Sequence, residues 1–389
     1  MSSSHGTPCV PVPLLDVNRG NRELRDEILA AVTAVVDSGK FLHGPETVRL
    51  EAQVAQVCAV PHAIGCASGS DALLLALMAL DLEPGDEVIV PSFTFFATAS
   101  CVSRIGCKVV FADIDPRTYN IDPAAVAAAI TPRTRAIIPV HLFGQCAQID
   151  EICRIADAHD IPVIEDAAQA IGAAYHGRPA CSWGQIGCLS FYPTKNLGGF
   201  GDGGMLTARN EKIADRLRLL AAHGMRPRYY HQAIGINSRL DTIQAAVLEV
   251  KLRKLDSYTR ARQANAARYA YLFQDAGLVG EFSLPYHDPH ANHVWNQYGI
   301  RVTDGRRDDL KSYLQGRGIG CEIYYPVPLH EQQCYRNLGC KLGSLPETES
   351  AAREILHLPI YPELTIDEQV RVVDGIRSFY AQGTMRRAA

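Results

Sequence analysis

The stretch 188-CLSFYPTKNLGGFGDGGMLTA-208 sets two short β-rich runs, CLSFY and GMLTA, on either side of a turn-rich loop that holds one lysine, Lys195. Five of the seven residues from 198 to 204 are glycine. The glycine run leads into a strand and not a helix, so it lacks the context of a dinucleotide-binding fingerprint. Instead it brings a lysine to a strand edge among small and aromatic residues. Crowding and burial favour the uncharged amine. Such an amine can form a Schiff base with an aldehyde. On this stretch alone an ordinary loop lysine remains the alternative.

Outward from this stretch, similar runs recur at 63-AIGC-66, 87-EVIV-90, 108-KVVFA-112, 136-AIIPV-140 and 162-PVIED-166, making seven in all. Helix-like segments such as 70-SDALLLALMAL-80 and 149-IDEICRIADAH-159 lie between them. Apolar strands alternating with helices predict an α/β fold with a mostly parallel sheet covered on both faces. From Ser238 a helical pattern with Leu240, Ile243, Val247 and Val250 runs on to Phe273 without proline or glycine. It is followed by 297-QYGIRV-302, a helix over 307–318, and 321-CEIYYPV-327. The expected division is a large α/β domain over 1–250, N-terminal segment included, and a smaller α+β domain over 251–389.

The chain has 389 residues and a formal charge of −4, which argues against nucleic acid or an anionic membrane as main partner. MSSSHGTPCVPVP lacks the regions of a signal peptide, and no apolar run reaches spanning length, so a cytoplasmic protein is expected. The 12 cysteines are scattered without a CxxC pair, which speaks against zinc or iron–sulfur. His287, His290 and His293 recur at every third residue around Pro289, and are read as a polar loop and not as metal ligands.

Three further elements accompany Lys195. Asp166 stands where an apolar run ends, the usual side for ligands in open α/β sheets. It suits either a partner for a heterocyclic nitrogen or a helix cap. In 66-CASGSDALLLALMAL-80 the backbone N–H groups of Gly69, Ser70 and Asp71 would open a helix N-terminus to a phosphate. In 91-PSFTFFATAS-100 an aromatic side chain, Phe95, offers a platform for a flat ring, with core packing as the alternative.

Together the four make an amine for an aldehyde, a carboxylate for a ring nitrogen, a phosphate cup and a ring platform. In this order they resemble the DegT/DnrJ/StrS sugar aminotransferases, pyridoxal 5′-phosphate (PLP) enzymes of fold type I. The resemblance runs from 39-GKFLHGP-45 through SGSDAL, PSFTFFAT, EDAAQA, SFYPTK, GDGG and 235-GINSRLDTIQAA-246 to 321-CEIYYPVPLH-330. It implies a seven-stranded sheet between helices and PLP as cofactor. Lys195 would bind the cofactor's aldehyde and later shuttle the proton between C4′ and the sugar carbon. Asp166 would pair with the pyridinium nitrogen, Gln169 with the ring's O3′, and Ser190 with Gly69 and Ser70 would hold the phosphate. Asn237 would reach the phosphate from a neighbouring subunit, which implies a homodimer. A lysine at 195, where related dehydratases have histidine, implies transamination.

The implied reaction moves an amino group from glutamate or glutamine to a nucleotide-linked keto-sugar in polysaccharide or lipopolysaccharide synthesis. Enzymes of this family acting at C3 tend to read GTDAL, GDGG and NSRLD. Here the chain has 69-GSDAL-73, 201-GDGG-204 and 237-NSRLD-241. The stretches 131-TPRTRAIIPVHLFGQCA-147 and 223-HGMRPRYYHQAIGINSRLD-241 resemble the branch that aminates UDP-2-acetamido-2-deoxy-3-oxo-glucuronate. Arg239 would suit that carboxylate, with Tyr324 and Tyr325 also on the substrate side; Tyr324 departs from the histidine usual in that branch. The alternatives are a dTDP-3-keto-6-deoxyhexose or 4-keto substrate, or a non-catalytic regulator on the same fold. A desulfurase is disfavoured because no motif supplies its loop cysteine.

Overall fold

The structure is a computed structural model that describes residues 10–388, with side chains to 382. The first nine residues of the N-terminal reading, Cys9 among them, lie outside the described residues.

All seven runs form strands: β1 His62–Cys66, β2 Glu87–Pro91, β3 Lys108–Ala112, β4 Thr134–Ile137, β5 Ile164–Asp166, β6 Ile186–Ser190 and β7 Gly204–Ala208. β2 pairs in parallel with β3 and β4, and β5 in parallel with β6. Parallel bridges Ile137↔Val163 and Val140↔Asp166 join β4 to β5. β7 lies antiparallel between β6 and β1. The sheet order is therefore β3–β2–β4–β5–β6–β7–β1, with β7 alone reversed.

Both faces are buried because successive strand side chains alternate sides. Ile89, Leu189 and Met205 enter one apolar cluster with Leu50, Val54 and Ile152. Val88, Val90, Ile186, Cys188 and Leu206 enter the other with Leu73, Leu77 and Leu217. This two-sided burial explains why the strands read as continuous apolar runs.

A separate cluster gathers Tyr269, Phe273, Tyr298, Ile300, Leu310, Leu314, Leu356 and Val372. It lies around the antiparallel pair β8 Tyr298–Arg301 and β9 Ile355–Leu358. Val12 belongs to the same cluster and pairs with Ile319, so the N-terminal stretch crosses over to it. The helix expected to run unbroken to Phe273 is two helices, Thr242–Leu252 and Leu255–Asp275. Without proline or glycine at the break, its cause is packing. Leu248 faces the large core, Val247 packs with Leu24 and Ile28, and Ala266, Tyr269 and Phe273 face the small core. No helix of the described residues is long and apolar enough to cross a membrane.

The three histidines of the 287–293 loop face different partners. His287 Nε2 lies 2.9 Å from the Ala291 carbonyl, His290 stacks on His176, and His293 stacks on Trp295 with ring centroids 3.8 Å apart.

Candidate active site

The carboxyl ends of β5 and β6 and the turn after β1 open on one cavity of about 960 Å³. Ser68, Gly69, Ser70, Phe95, Asp166, Gln169, Ser190, Lys195, Asp202, Tyr324 and Tyr325 line it. Of the sequence-predicted residues, Asp71, Asn237 and Arg239 are not in the lining.

The turn after β1 starts the helix Gly69–Ala79, whose N-cap is Ser68. Ser68 Oγ accepts from the N–H of Asp71 at 3.1 Å. Asp71 therefore differs from expectation: its N–H is used by the cap, and its carboxylate accepts from Ser238 Oγ at 2.7 Å. The N–H groups of Gly69 and Ser70 have no intrahelical acceptor and face the N-terminal end, where the helix dipole favours an anion. Gly69 is required for space, since a Cβ there would stand 2.7 Å from Ser190 Cβ. Closely packed glycine and serine leave a shallow cradle suited to a phosphate.

Asp166 ends β5 and is 5% exposed. Thr98 Oγ1 donates to its Oδ2 at 2.8 Å and the N–H of Ala168 to its Oδ1 at 3.2 Å. Burial pushes the Asp166 carboxyl above its ordinary value, while the two donors, Lys195 and His141 pull it back. A cation in the cavity would complete that return, and a protonated ring nitrogen is one. Next to it, the wholly buried Glu165 accepts from the backbone N–H groups of Cys181, Trp183 and Gly184 and lies 2.9 Å from His141 Nε2. This ties the start of β6 to the end of β5, fixing Asp166 relative to the strand that leads to Lys195.

Lys195 is half-buried in the loop after β6, its N–H bonded to the Tyr192 carbonyl at 2.9 Å. Burial pushes its amine below the usual lysine range, against the pull of Asp166. No hydrogen bond or ion pair holds its Nζ among the described residues. An unengaged amine, a buried carboxylate and a helix-end cradle around one cavity form a donor set that fits pyridoxal phosphate.

Gln169 is 7% exposed. Its Oε1 accepts from the Phe143 N–H at 2.6 Å, and its Nε2 reaches the Tyr325 hydroxyl at 3.4 Å. Its amide nitrogen thus keeps donor capacity toward the cavity. Phe95 is 57% exposed with its ring 6.3 Å from that of Tyr325. Asn237 is exposed, and its backbone bridges to Ala222. It and the half-exposed Arg239 are not brought to the cavity of their own protomer. Sequence reading missed Ser68, Thr98, Asn296 and His357. The S-G-S-D cap pattern could have revealed Ser68; the others are brought in only by the fold.

Compared with known proteins, the chain matches the DegT/DnrJ/EryC1/StrS aminotransferase family over residues 22–377. A "Pleiotropic regulatory protein" of Geobacillus stearothermophilus is 47% identical, over 95% of this chain and 98% of that one. The dTDP-3-amino-3,4,6-trideoxy-alpha-D-glucose transaminase of Streptomyces venezuelae is 45% identical over 97% and 98%. The UDP-2-acetamido-2-deoxy-3-oxo-D-glucuronate aminotransferase of Pseudomonas aeruginosa is 40% identical over 91% and 96%. Among solved structures, S. venezuelae DesV in complex with a ketimine intermediate superposes with a TM-score of 0.91 at 44% identity, over 96% and 99%.

Proposed function

Because the chain belongs to the DegT/DnrJ/EryC1/StrS aminotransferase family and is a PLP-dependent sugar aminotransferase, we propose that Lys195 and Asp166 are its catalytic pair and that it aminates C3 of a nucleotide-linked 3-keto-sugar. The opening of Lys195, Asp166 and the Gly69–Ser70 helix end onto one cavity carries this reading.

Bound pyridoxal phosphate supplies an aldehyde that captures amines and a ring that takes up an electron pair when a proton leaves. The N–H groups of Gly69 and Ser70, with Ser190 Oγ, would hold the phosphate. Asp166 stands as the carboxylate facing the ring nitrogen, with Thr98 keeping it charged. Gln169 Nε2 would donate to the ring oxygen and Phe95 would offer its face to the ring. Lys195 binds the aldehyde as an amine, because burial lowers the cost of its uncharged form. As a free amine Lys195 would move a proton between the donor's α-carbon and C4′, and then between C4′ and the sugar carbon.

Three features support C3: GSDAL, GDGG and NSRLD, together with relatives whose names place the nitrogen or the ketone at position 3. The donor is read as glutamate or glutamine, and the protein as a cytoplasmic homodimer in which Asn237 reaches the partner's phosphate. A uronate carboxylate on the sugar would suit Arg239. That residue lies outside its own cavity, so it too would have to act from a second copy. The test offers UDP-linked 3-keto-uronate, dTDP-3-keto-6-deoxyhexose and a 4-keto sugar nucleotide separately with glutamate, reading products by mass spectrometry. Preference for the 4-keto compound overturns C3; preference for the dTDP sugar overturns only the uronate.

A further inference from the structure

A second lysine, outside the cavity lining, is built into the support of the loop that carries Lys195. Lys251 sits near the end of the helix Thr242–Leu252, 8% exposed, with its Nζ donating to the Gly198 carbonyl and lying 5.8 Å from the Phe200 ring centroid. Burial pushes its ammonium down to about 8, against the pull of Glu363. A buried ammonium is costly, and a methionine of similar length would fill the space without that cost. A charge kept there calls for a reason beyond packing.

That reason lies in the loop's own construction. The Gly199 N–H closes on the Phe191 carbonyl at 2.8 Å, and the Lys195 N–H on that of Tyr192 at 2.9 Å. A Cβ on Gly198 would meet the Pro193 carbonyl oxygen at 2.4 Å. The segment from 191 to 199 is therefore folded tightly on itself, and a shift at Gly198 is passed to the turn bearing Lys195. Two outside anchors hold the rest. Asn196 Nδ2 donates to the Val294 carbonyl, and its Oδ1 accepts from Asn296, each at 2.8 Å. Gln244, two turns before Lys251 on the same helix, accepts from the Phe200 N–H at 2.8 Å.

We propose that Lys251 is a positioning residue for the reaction: its ammonium pins the Gly198 carbonyl and thereby sets where the Lys195 amine stands in the cavity. This rests on the role assigned to Lys195. It concerns aim and not chemistry, since Lys251 itself lies outside the lining.

The experiment compares holoenzyme of wild type, Lys251→Met, Lys251→Arg and Lys251→Gln. Each is read by melting temperature, cofactor Kd, absorbance of the bound cofactor, borohydride labelling rate at Lys195, and kcat and KM separately. Lys251→Met is expected to keep cofactor Kd within about threefold, because the phosphate cradle is separate. Its kcat and labelling rate fall roughly 10- to 100-fold, the size of effect expected from misplacing a reacting group by about 1 Å. KM stays near wild type, and Lys251→Arg recovers part of the loss. If Lys251→Met does not fold, Lys251→Gln answers instead: it keeps a donor for Gly198 without the charge and should show an intermediate loss. Unchanged kcat, labelling rate and absorbance in whichever variant folds would overturn the proposal. So would a loss of kcat fully accounted for by lowered melting. Absence of label on Lys195 in the wild type would instead overturn the assignment of Lys195.

Discussion

Thr98→Val removes one hydroxyl and keeps the side chain's shape at a position with no exposure. The lost bond is the 2.8 Å donation from Thr98 Oγ1 to Asp166 Oδ2. A hydrogen bond to a charged acceptor contributes about 1.5–3 kcal/mol, and one pKa unit corresponds to about 1.4 kcal/mol. Thr98 stabilises the charged form of a carboxyl that burial already pushes upward. Removing it must therefore raise the pKa further, by about 1–2 units. If the carboxylate is the working form, the acid limb of the kcat profile moves to higher pH by that amount. The rate below the limb falls about 10- to 100-fold, while the rates well above it converge on wild type. Convergence separates titration from damage, since a distorted site is slow at every pH. The Thr94 hydroxyl, 3.1 Å from that of Thr98, loses its partner as well, so a stability loss of about 1 kcal/mol is expected by thermal melting. Thr98→Ser keeps the donor and should restore the wild-type limb. An acid limb that stays in place in Thr98→Val, with Asp166 shown to be required, would refute the reasoning.

The other predictions are simpler. Lys195→Ala should abolish turnover, and borohydride should no longer fix label on the peptide SFYPTK; comparable transamination by this variant rejects the assignment. Asp166→Ala should slow the proton-transfer step in single turnovers far more than it weakens cofactor retention, measured by absorbance titration. Near-normal single-turnover rates would return Asp166 to a capping role. Glu87 is buried and takes hydrogen bonds from Thr131, Arg133 and Lys108 that outweigh its burial, holding its carboxyl down at about 2. Its contribution is thus present above the ordinary glutamate range and lost as pH falls towards 2. Glu87→Gln should cost about 1–3 kcal/mol at pH 7 and progressively less below pH 4 in denaturant titrations. Asn237→Ala mixed with Lys195→Ala should regain activity as subunits exchange; no recovery after proven exchange places Asn237 in its own subunit's site.

The large sheet was legible because each strand is buried on two faces and so reads as a short apolar run. The reversal of β7 was not, since 204-GMLTA-208 has the same apolar character whichever way it points. The helices Arg25–Ser38, Pro45–Val57 and Ile366–Ala388 were not read from the sequence at all. The first has Leu29 and Val36 exposed beside buried Ile28 and Val35, which blurs a helical stripe. The helix break at Arg253–Lys254 carries no breaker and follows from packing on two cores. At the site, Asp166 and Gly69 stood out because one ends a strand and the other opens a helix, and Lys195 because it lies in a glycine-rich loop between two strands. Thr98 lies in the stretch 91–100 that was read only for its aromatics, and Asn296 in a segment with no mark; they reach the site through contacts 68 and 100 residues away in the chain. Asp71 was misread because an N-cap bond takes one of the free N–H groups, and the spacing Ser68–Asp71 shows that only once the cap is assigned to Ser68.

Charge links the site to the state of assembly. A nucleotide-linked sugar brings a diphosphate, and the glutamate proposed as donor would bring two carboxylates. Against these, among the described residues the lining contributed by one chain holds Lys195 as its only lysine or arginine, with Asp166 and Asp202 opposed to it. Lys195 is better suited to react as an amine than to act as a standing cation, and burial pushes the wall's His357 down to about 3, so it is neutral at pH 7. Binding anions in such a cavity without further positive charge would be unfavourable. The segment from 223 to 241 carries the exposed Arg226, Arg228 and Asn237 and the half-exposed Arg239, outside its own cavity. Placed over the cavity of a second copy, it would supply the missing charge. Subunit mixing with Asn237→Ala therefore also tests whether this segment reaches a partner's cavity. Arg239→Gln mixed with Lys195→Ala extends it: recovery of kcat/KM for the sugar nucleotide on exchange is the outcome expected if this segment acts across the interface, and failure despite exchange would leave the anions to be bound by one chain alone.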